Sequence, residues 1–180
     1  MFISPPFKIV FMGTSLFAVP ILNELAKSPD FKIVLVVTQP DKPRGRGQKP
    51  SSPPIKTLAQ KLGIPVQQPS SLEKFSLPSA TDLGLVVAYA KKIPTSLLTQ
   101  PRCGFVNLHG SLLPKYQGAS CIAMAILAGD KYSGITYLKM NEQIDKGDII
   151  YQAKLPINPN DTAGTLAEKL SRLGAQTVTS

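Results

Sequence analysis

A single histidine, His109, stands in the 180 residues, so no site built on several histidines can hold a metal. Cysteine is nearly as scarce. Cys103 and Cys121 are too few for a disulfide scaffold and too far apart for a CxxC zinc motif. Long apolar runs are missing. The longest, Leu83–Ala90, has eight residues, well short of the ~18 a membrane helix needs, so no membrane partner is expected. The opening stretch MFISPPFKIV has no charged segment leading into a long apolar one, which argues against a signal peptide and for the cytoplasm. Acidic residues are few, 11 against 20 lysines and arginines, for a net charge of +9. That balance suits a polyanion such as RNA, an anionic substrate, or plain solubility. Familiar nucleotide and hydrolase motifs are lacking too. The turn GTSLFA has one glycine instead of G-x-G-x-x-G, and neither a P-loop nor a G-x-S-x-G elbow occurs.

What is present reads as one globular domain. Hydrophobic residues make up 43% and charged residues 17%, and a chain of this length can bury roughly 70% of its unfolded surface. Strand-like and helical stretches alternate. Phe7–Met12, Phe31–Val37, Leu83–Ala90 and Gly104–His109 are near-continuous apolar runs, as expected of strands buried on both faces. A helix around Ala18–Leu25 is expected to be capped by Thr14 or Ser15, with Pro20 in its first turn. Pro54–Leu62 and Ala119–Ala128 read as helices ended by Gly63 and Gly129. Gly134–Met140 and Asp148–Leu155 suggest a hairpin. Asp161 or Thr162 then caps a last helix carrying Leu166, Leu170 and Leu173. The alternation predicts an α/β fold with a Rossmann-like, doubly wound, mostly parallel sheet, whose chemistry sits outside the carboxyl ends of its strands.

Two regions stand out. Thr38–Pro54 holds five prolines, two glycines and four basic residues against one acid, so it is neither helix nor central strand. It reads either as a solvated linker or as a functional loop whose Lys42, Arg44, Arg46 and Lys49 engage phosphates. In the stretch Gly104–His109, alternation puts Asn107 and His109 on one face at the strand's carboxyl end. An amide and an imidazole aimed at one spot can stabilise an oxyanion and move a proton, as acyl transfer requires. A carboxylate would complete the set, and Asp145 and Asp148 in the turn QIDKGD are both candidates. The competing reading is a core histidine satisfied by a backbone carbonyl, with both aspartates serving as turn formers.

The string NLHGSLLPKYQGAS, followed by IDKGD, resembles the folate-dependent formyltransferase family over about Phe7 to Gly174. Asn107, His109 and Asp145 match the family's Asn, His and Asp, with the same 36-residue step from His109 to Asp145. The resemblance implies the formyltransferase fold, these three residues as catalytic, and 10-formyltetrahydrofolate as co-substrate with no metal. It implies a folate ring lying against Val87, Ala88 and Tyr89 on one side and Ser111, Leu112, Leu113 and Pro114 on the other. The stretch QPDKPRGRGQKP resembles the loop of the branch that formylates initiator methionyl-tRNA for translation initiation, which implies tRNA contacts for Lys42, Arg44, Arg46 and Lys49. Gln117 and Cys121 depart from the Arg and Pro usual in the family, and NEQIDKGD departs from its usual DEGLDTGD. The expectation is a monomeric, single formyl-transfer catalytic domain over residues 1–180, without the family's C-terminal tRNA-binding β domain. Two alternatives are a formyltransferase for a small amine, such as a nucleotide-linked amino sugar or glycinamide ribonucleotide, and a non-catalytic RNA- or folate-binding module.

Overall fold

The computed structural model describes residues 6–44 and 49–179. The chain begins with strand β1 (Phe7–Gly13), a 3-10 turn at Leu16–Ala18 and helix α1 (Val19–Leu25). Strand β2 (Phe31–Val37) follows, then two short strands, β3 (Lys42–Arg44) and β4 (Lys49–Ser51). Next come α2 (Pro54–Lys61), β5 (Val66–Gln67), β6 (Leu83–Val87), α3 (Thr95–Leu98) and β7 (Phe105–His109). The chain continues through α4 (Cys121–Leu127), β8 (Tyr132–Lys139), β9 (Ile149–Pro156) and α5 (Ala163–Thr177).

Seven strands form one sheet in the order β5-β2-β1-β6-β7-β8-β9. The first five are parallel neighbours, and β8 and β9 continue the sheet antiparallel. The strand order reverses at β1, whose neighbours are β2 and β6. That is the switch point beside which ligands bind in open α/β sheets. The expected α/β class and mostly parallel sheet are what the structure has.

Alternation along β1 explains its near-continuous apolar run. Ile9 and Phe11 enter a core cluster with α1, α2 and α5, whereas Val10 and Met12 enter a second cluster with Leu72, Ile93 and Leu97 on the opposite face. At roughly 1.5–3 kcal/mol per fully buried large aliphatic side chain, both faces contribute to stability. At Gly13 an added Cβ would lie 2.8 Å from the Phe11 ring and 3.0 Å from the Val87 carbonyl, so only glycine lets β1 leave the sheet this close to β6.

Three expectations need correction. Thr14 and Ser15 make no side-chain cap; a 3-10 turn precedes α1, and the Thr14 hydroxyl donates instead to the Tyr89 carbonyl at 3.2 Å. The strand expected to reach Ala90 stops at Val87, because Ala88 and Ala90 turn left-handed, at φ 48° and 61°. The segment Thr38–Pro54 is more than a loop. Its β3 and β4 pair antiparallel, with Pro43 opposite Pro50 and Arg44 opposite Lys49, as a ribbon outside the main sheet. Among the described residues, no helix is long and apolar enough to cross a membrane.

Candidate active site

Strand β7 positions the first two residues. Asn107 lies opposite Val86 of β6 and Leu138 of β8, and His109 lies opposite Thr136. Phe105 belongs to the second core cluster and Leu108 to the first, so alternation places Asn107 and His109 on the same face as Phe105. The third residue arrives from the β8–β9 connection. Asp145 adopts a left-handed conformation, φ 53°, which suits aspartate better than most residues. Its carboxylate accepts from the Asn107 side-chain amide at 3.2 Å and from the Gly118 backbone N–H at 2.8 Å. It also lies 3.5 Å from Nδ1 of His109. Asp148 stays exposed, and its backbone carbonyl accepts from the Lys139 N–H. The structure therefore brings Asp145, and not Asp148, to the asparagine and histidine.

His109 is 7% exposed. Its Nε2 lies 2.9 Å from the Tyr116 carbonyl, which can only accept, so Nε2 carries a proton. With that tautomer, Nδ1 donates to Asp145 only when the ring is an imidazolium. Tyr116 itself is left-handed, at φ 58°, and Gly118 has φ 86°. The segment Tyr116–Gly118 is thus bent so that one carbonyl meets His109 and one N–H meets Asp145. Gln117 adds a weaker contact, its amide donating to the Asp145 carbonyl at 3.4 Å. Cys121, at the start of α4, is buried, and that burial pushes its thiol above the ordinary range. Among the described residues, no cluster of three or more His, Cys, Asp or Glu could hold a metal ion.

The residues expected to hold the folate ring flank this cluster. Val87 pairs with Leu108, so Val87, Ala88 and Tyr89 leave the sheet beside Asn107 and His109. Ala88 is exposed, but the Tyr89 ring is buried in the second core cluster. At Tyr89, then, the backbone and not the ring faces this edge; its carbonyl already accepts from Thr14 at 3.2 Å and from Gln39 at 2.8 Å. On the other side, the Ser111 hydroxyl turns inward to the Lys115 carbonyl at 2.7 Å. Thr136, fully buried, donates to the Ser111 carbonyl at 2.6 Å and accepts from the Leu113 N–H at 3.1 Å. Gln152 donates to the Leu113 carbonyl at 2.9 Å. Leu113 is buried, Leu112 half-buried and Pro114 exposed. A cavity of about 230 Å³ borders Ser111, Leu112, Lys115 and Tyr116, but Asn107, His109 and Asp145 do not line it.

Of the four basic residues expected to bind phosphate, Lys42 is exposed in β3. Arg44 ends β3 and Lys49 begins β4. Arg46 lies outside the described residues. Sequence reasoning missed Tyr116, Gly118, Thr136, Gln152 and Gln39. Only Gly118 left a signal, a glycine directly after the KYQ string.

The formyl transferase family matches residues 7–180. A Listeria innocua protein named methionyl-tRNA formyltransferase is 44% identical over 174 residues, covering 94% of this chain and 55% of its own length. A Desulfotalea psychrophila protein of the same name is 44% identical over 172 residues, covering 93% and 53%. The chain therefore spans about half the length of the curated relatives it matches. Among solved structures, phosphoribosylglycinamide formyltransferase from Bacillus halodurans superposes with a TM-score of 0.74 at 22% identity, over 94% of this chain and 90% of that one. Glycinamide ribonucleotide transformylase 1 from Symbiobacterium toebii gives 0.75 at 19% identity, over 96% and 84%. At such identities the likeness is one of fold.

Proposed function

The chain belongs to the formyl transferase family, and we propose that it performs the formyl-transfer step from a 10-formyltetrahydrofolate donor to the amine of methionyl initiator tRNA. The observation that carries the acceptor is the 44% identity, over 94% of the chain, to relatives named for methionyl-tRNA. The structural neighbours that act on glycinamide ribonucleotide share 19–23% identity and the fold alone.

The proposed chemistry needs two things at one point: a donor for the oxygen that becomes negative, and an acceptor for the proton the amine loses. Asn107 and Asp145 meet these needs side by side. One N–H of the Asn107 amide is held by Asp145. The amide has a second N–H, which would donate to the oxyanion. Asp145 receives two hydrogen bonds and faces the His109 ring, and a carboxylate offers about four lone-pair sites. That leaves room for the amine proton.

As the new C–N bond forms and the bond from the formyl carbon to the donor nitrogen breaks, the proton passes toward Asp145 and a proton returns to the leaving nitrogen. His109 would hold the carboxylate in place. It would join the oxyanion only by exchanging the Tyr116 carbonyl for it, since Nε2 is already engaged. Folate binding between Val87–Tyr89 and Ser111–Pro114 is supported by the position of both segments on the same edge. The ribbon, on which Lys42 is exposed, is the proposed tRNA contact.

The test is formyl transfer to charged initiator tRNA by the protein and by Asn107→Ala. Losing an oxyanion donor of this kind costs ~10²–10³ in kcat, with folate binding retained. Wild-type protein that formylates a small amine but not methionyl-tRNA would overturn the acceptor. Asn107→Ala at full rate would overturn the assignment of that side chain.

A further inference from the structure

Four strands that are neighbours in the sheet, β5, β2, β1 and β6, are tied together just past their carboxyl ends. Gln68 follows β5, Gln39 follows β2, Thr14 follows β1 and Tyr89 follows β6. The Gln68 amide donates to the Gln39 carbonyl at 2.7 Å. The Gln39 amide donates to the Tyr89 carbonyl at 2.8 Å and reaches the Ala90 carbonyl at 3.4 Å. Thr14 donates to the same Tyr89 carbonyl.

The segment receiving these bonds is strained. Ala88 and Ala90 both lie in the left-handed region, at φ 48° and 61°, which brings the Cβ of a non-glycine residue too close to the following carbonyl oxygen. Such a conformation persists only where surrounding contacts over-determine it. Gln39 is placed to do so.

The same network reaches the basic ribbon. Gln68 also donates to Oδ1 of Asp41, at 2.7 Å. The other oxygen of Asp41 receives Lys56 at 2.7 Å and Ser52 at 3.2 Å. Asp41 and Ser52 stand immediately before β3 and after β4, so this carboxylate closes the base of the ribbon. Hydrogen bonds therefore run without a break from the base of the ribbon to the segment after β6.

We propose that Gln39 is a positioning residue for the formyl donor, holding Ala88–Ala90 in its left-handed form and linking it through Gln68 and Asp41 to the base of the basic ribbon. The proposal rests on the folate reading given above for the donor. It makes ribbon and donor pocket parts of one hydrogen-bonded unit, so opening the base at Asp41 loosens the segment that meets the donor.

Gln39→Ala and Asp41→Asn test this with two readouts. In amide hydrogen exchange, residues 88–91 should exchange several-fold faster in both variants, while the β6–β7 core around Leu85 and Leu108 is unchanged. Binding of 5-formyltetrahydrofolate, a stable formylated folate, should weaken about fivefold or more, within the usual range for coupled sites, and more in Gln39→Ala than in Asp41→Asn. Unchanged exchange at 88–91, or equal acceleration in the core, would overturn the positioning role. Faster exchange with unchanged folate affinity would overturn the link to the donor. Wild-type protein that binds no folate would sink the donor reading instead, and the exchange data would still decide whether Gln39 holds the segment.

Discussion

Asp145 gathers partners from separate parts of the chain: the side chains of Asn107 and His109 on β7, and the N–H of Gly118 beyond it. The two candidate carboxylates looked equal because both sit in the turn QIDKGD. What separates them is backbone conformation. Asp145 is left-handed and reaches back over the sheet, whereas Asp148 stays exposed beside β9. A different residue supports the other wall. Thr136 is fully buried, and its hydroxyl satisfies the Leu113 N–H, the Ser111 carbonyl and the Gln152 amide. Thr136→Val keeps the shape but leaves the Leu113 N–H and the Ser111 carbonyl unpaired, at about 1–3 kcal/mol for each buried group. Chemical denaturation should show a loss of about 2 kcal/mol or more. A change below half a unit would mean that the Ser111–Pro114 segment is held by its packing.

At the scale of elements, the ribbon and the last helix each make a claim that can be measured. The ribbon segment brings Lys42, Arg44, Arg46 and Lys49, and thus at most four phosphate contacts. If the proposed tRNA contact is made through the ribbon, counterion release predicts a slope of log K against log salt of about −3. A slope near zero would exclude an electrostatic role for the ribbon. Helix α5 begins with a capping box at Thr162 and Thr165. Beside it, Asp161 accepts from Lys169 at 2.7 Å and from the Asn158 N–H at 2.8 Å. The Lys169 ammonium, then the Asn158 N–H, hold the Asp161 carboxyl below its ordinary range. A carboxyl lowered on folding stabilises at pH values above its unfolded pKa of about 3.9 and loses that effect as pH falls through the folded value. The gap in Tm between wild type and Asp161→Asn should stay constant from neutral pH to about 5, then close as the pH drops toward 3 and below. A gap that persists at pH 2 would place the effect in packing, not charge.

For the molecule as a whole, the sequence alone determined the class of fold and the chemistry of its parts. β1 and β2 announce themselves as near-continuous apolar runs, each interrupted by one lysine, because both faces of the sheet are covered, and α5 shows Leu166 and Leu170 at helical spacing. Asn107 and His109 share a face because strand side chains alternate, a rule that acts over two residues. Besides the proline-rich β3–β4 ribbon, two elements escaped this reading. With two residues in β5 and four in α3, neither has room for a period. What only the tertiary structure decided is which groups meet. Thr14, with the composition of a cap, bonds across 75 residues to Tyr89. Asn107 finds its carboxylate 38 residues away, and Gln39 bonds 50 residues away to Tyr89. The physical reason is range. Periodicity and capping report on neighbours within about a helical turn, whereas these partners are set by strand order and by how each loop closes over the sheet's carboxyl edge.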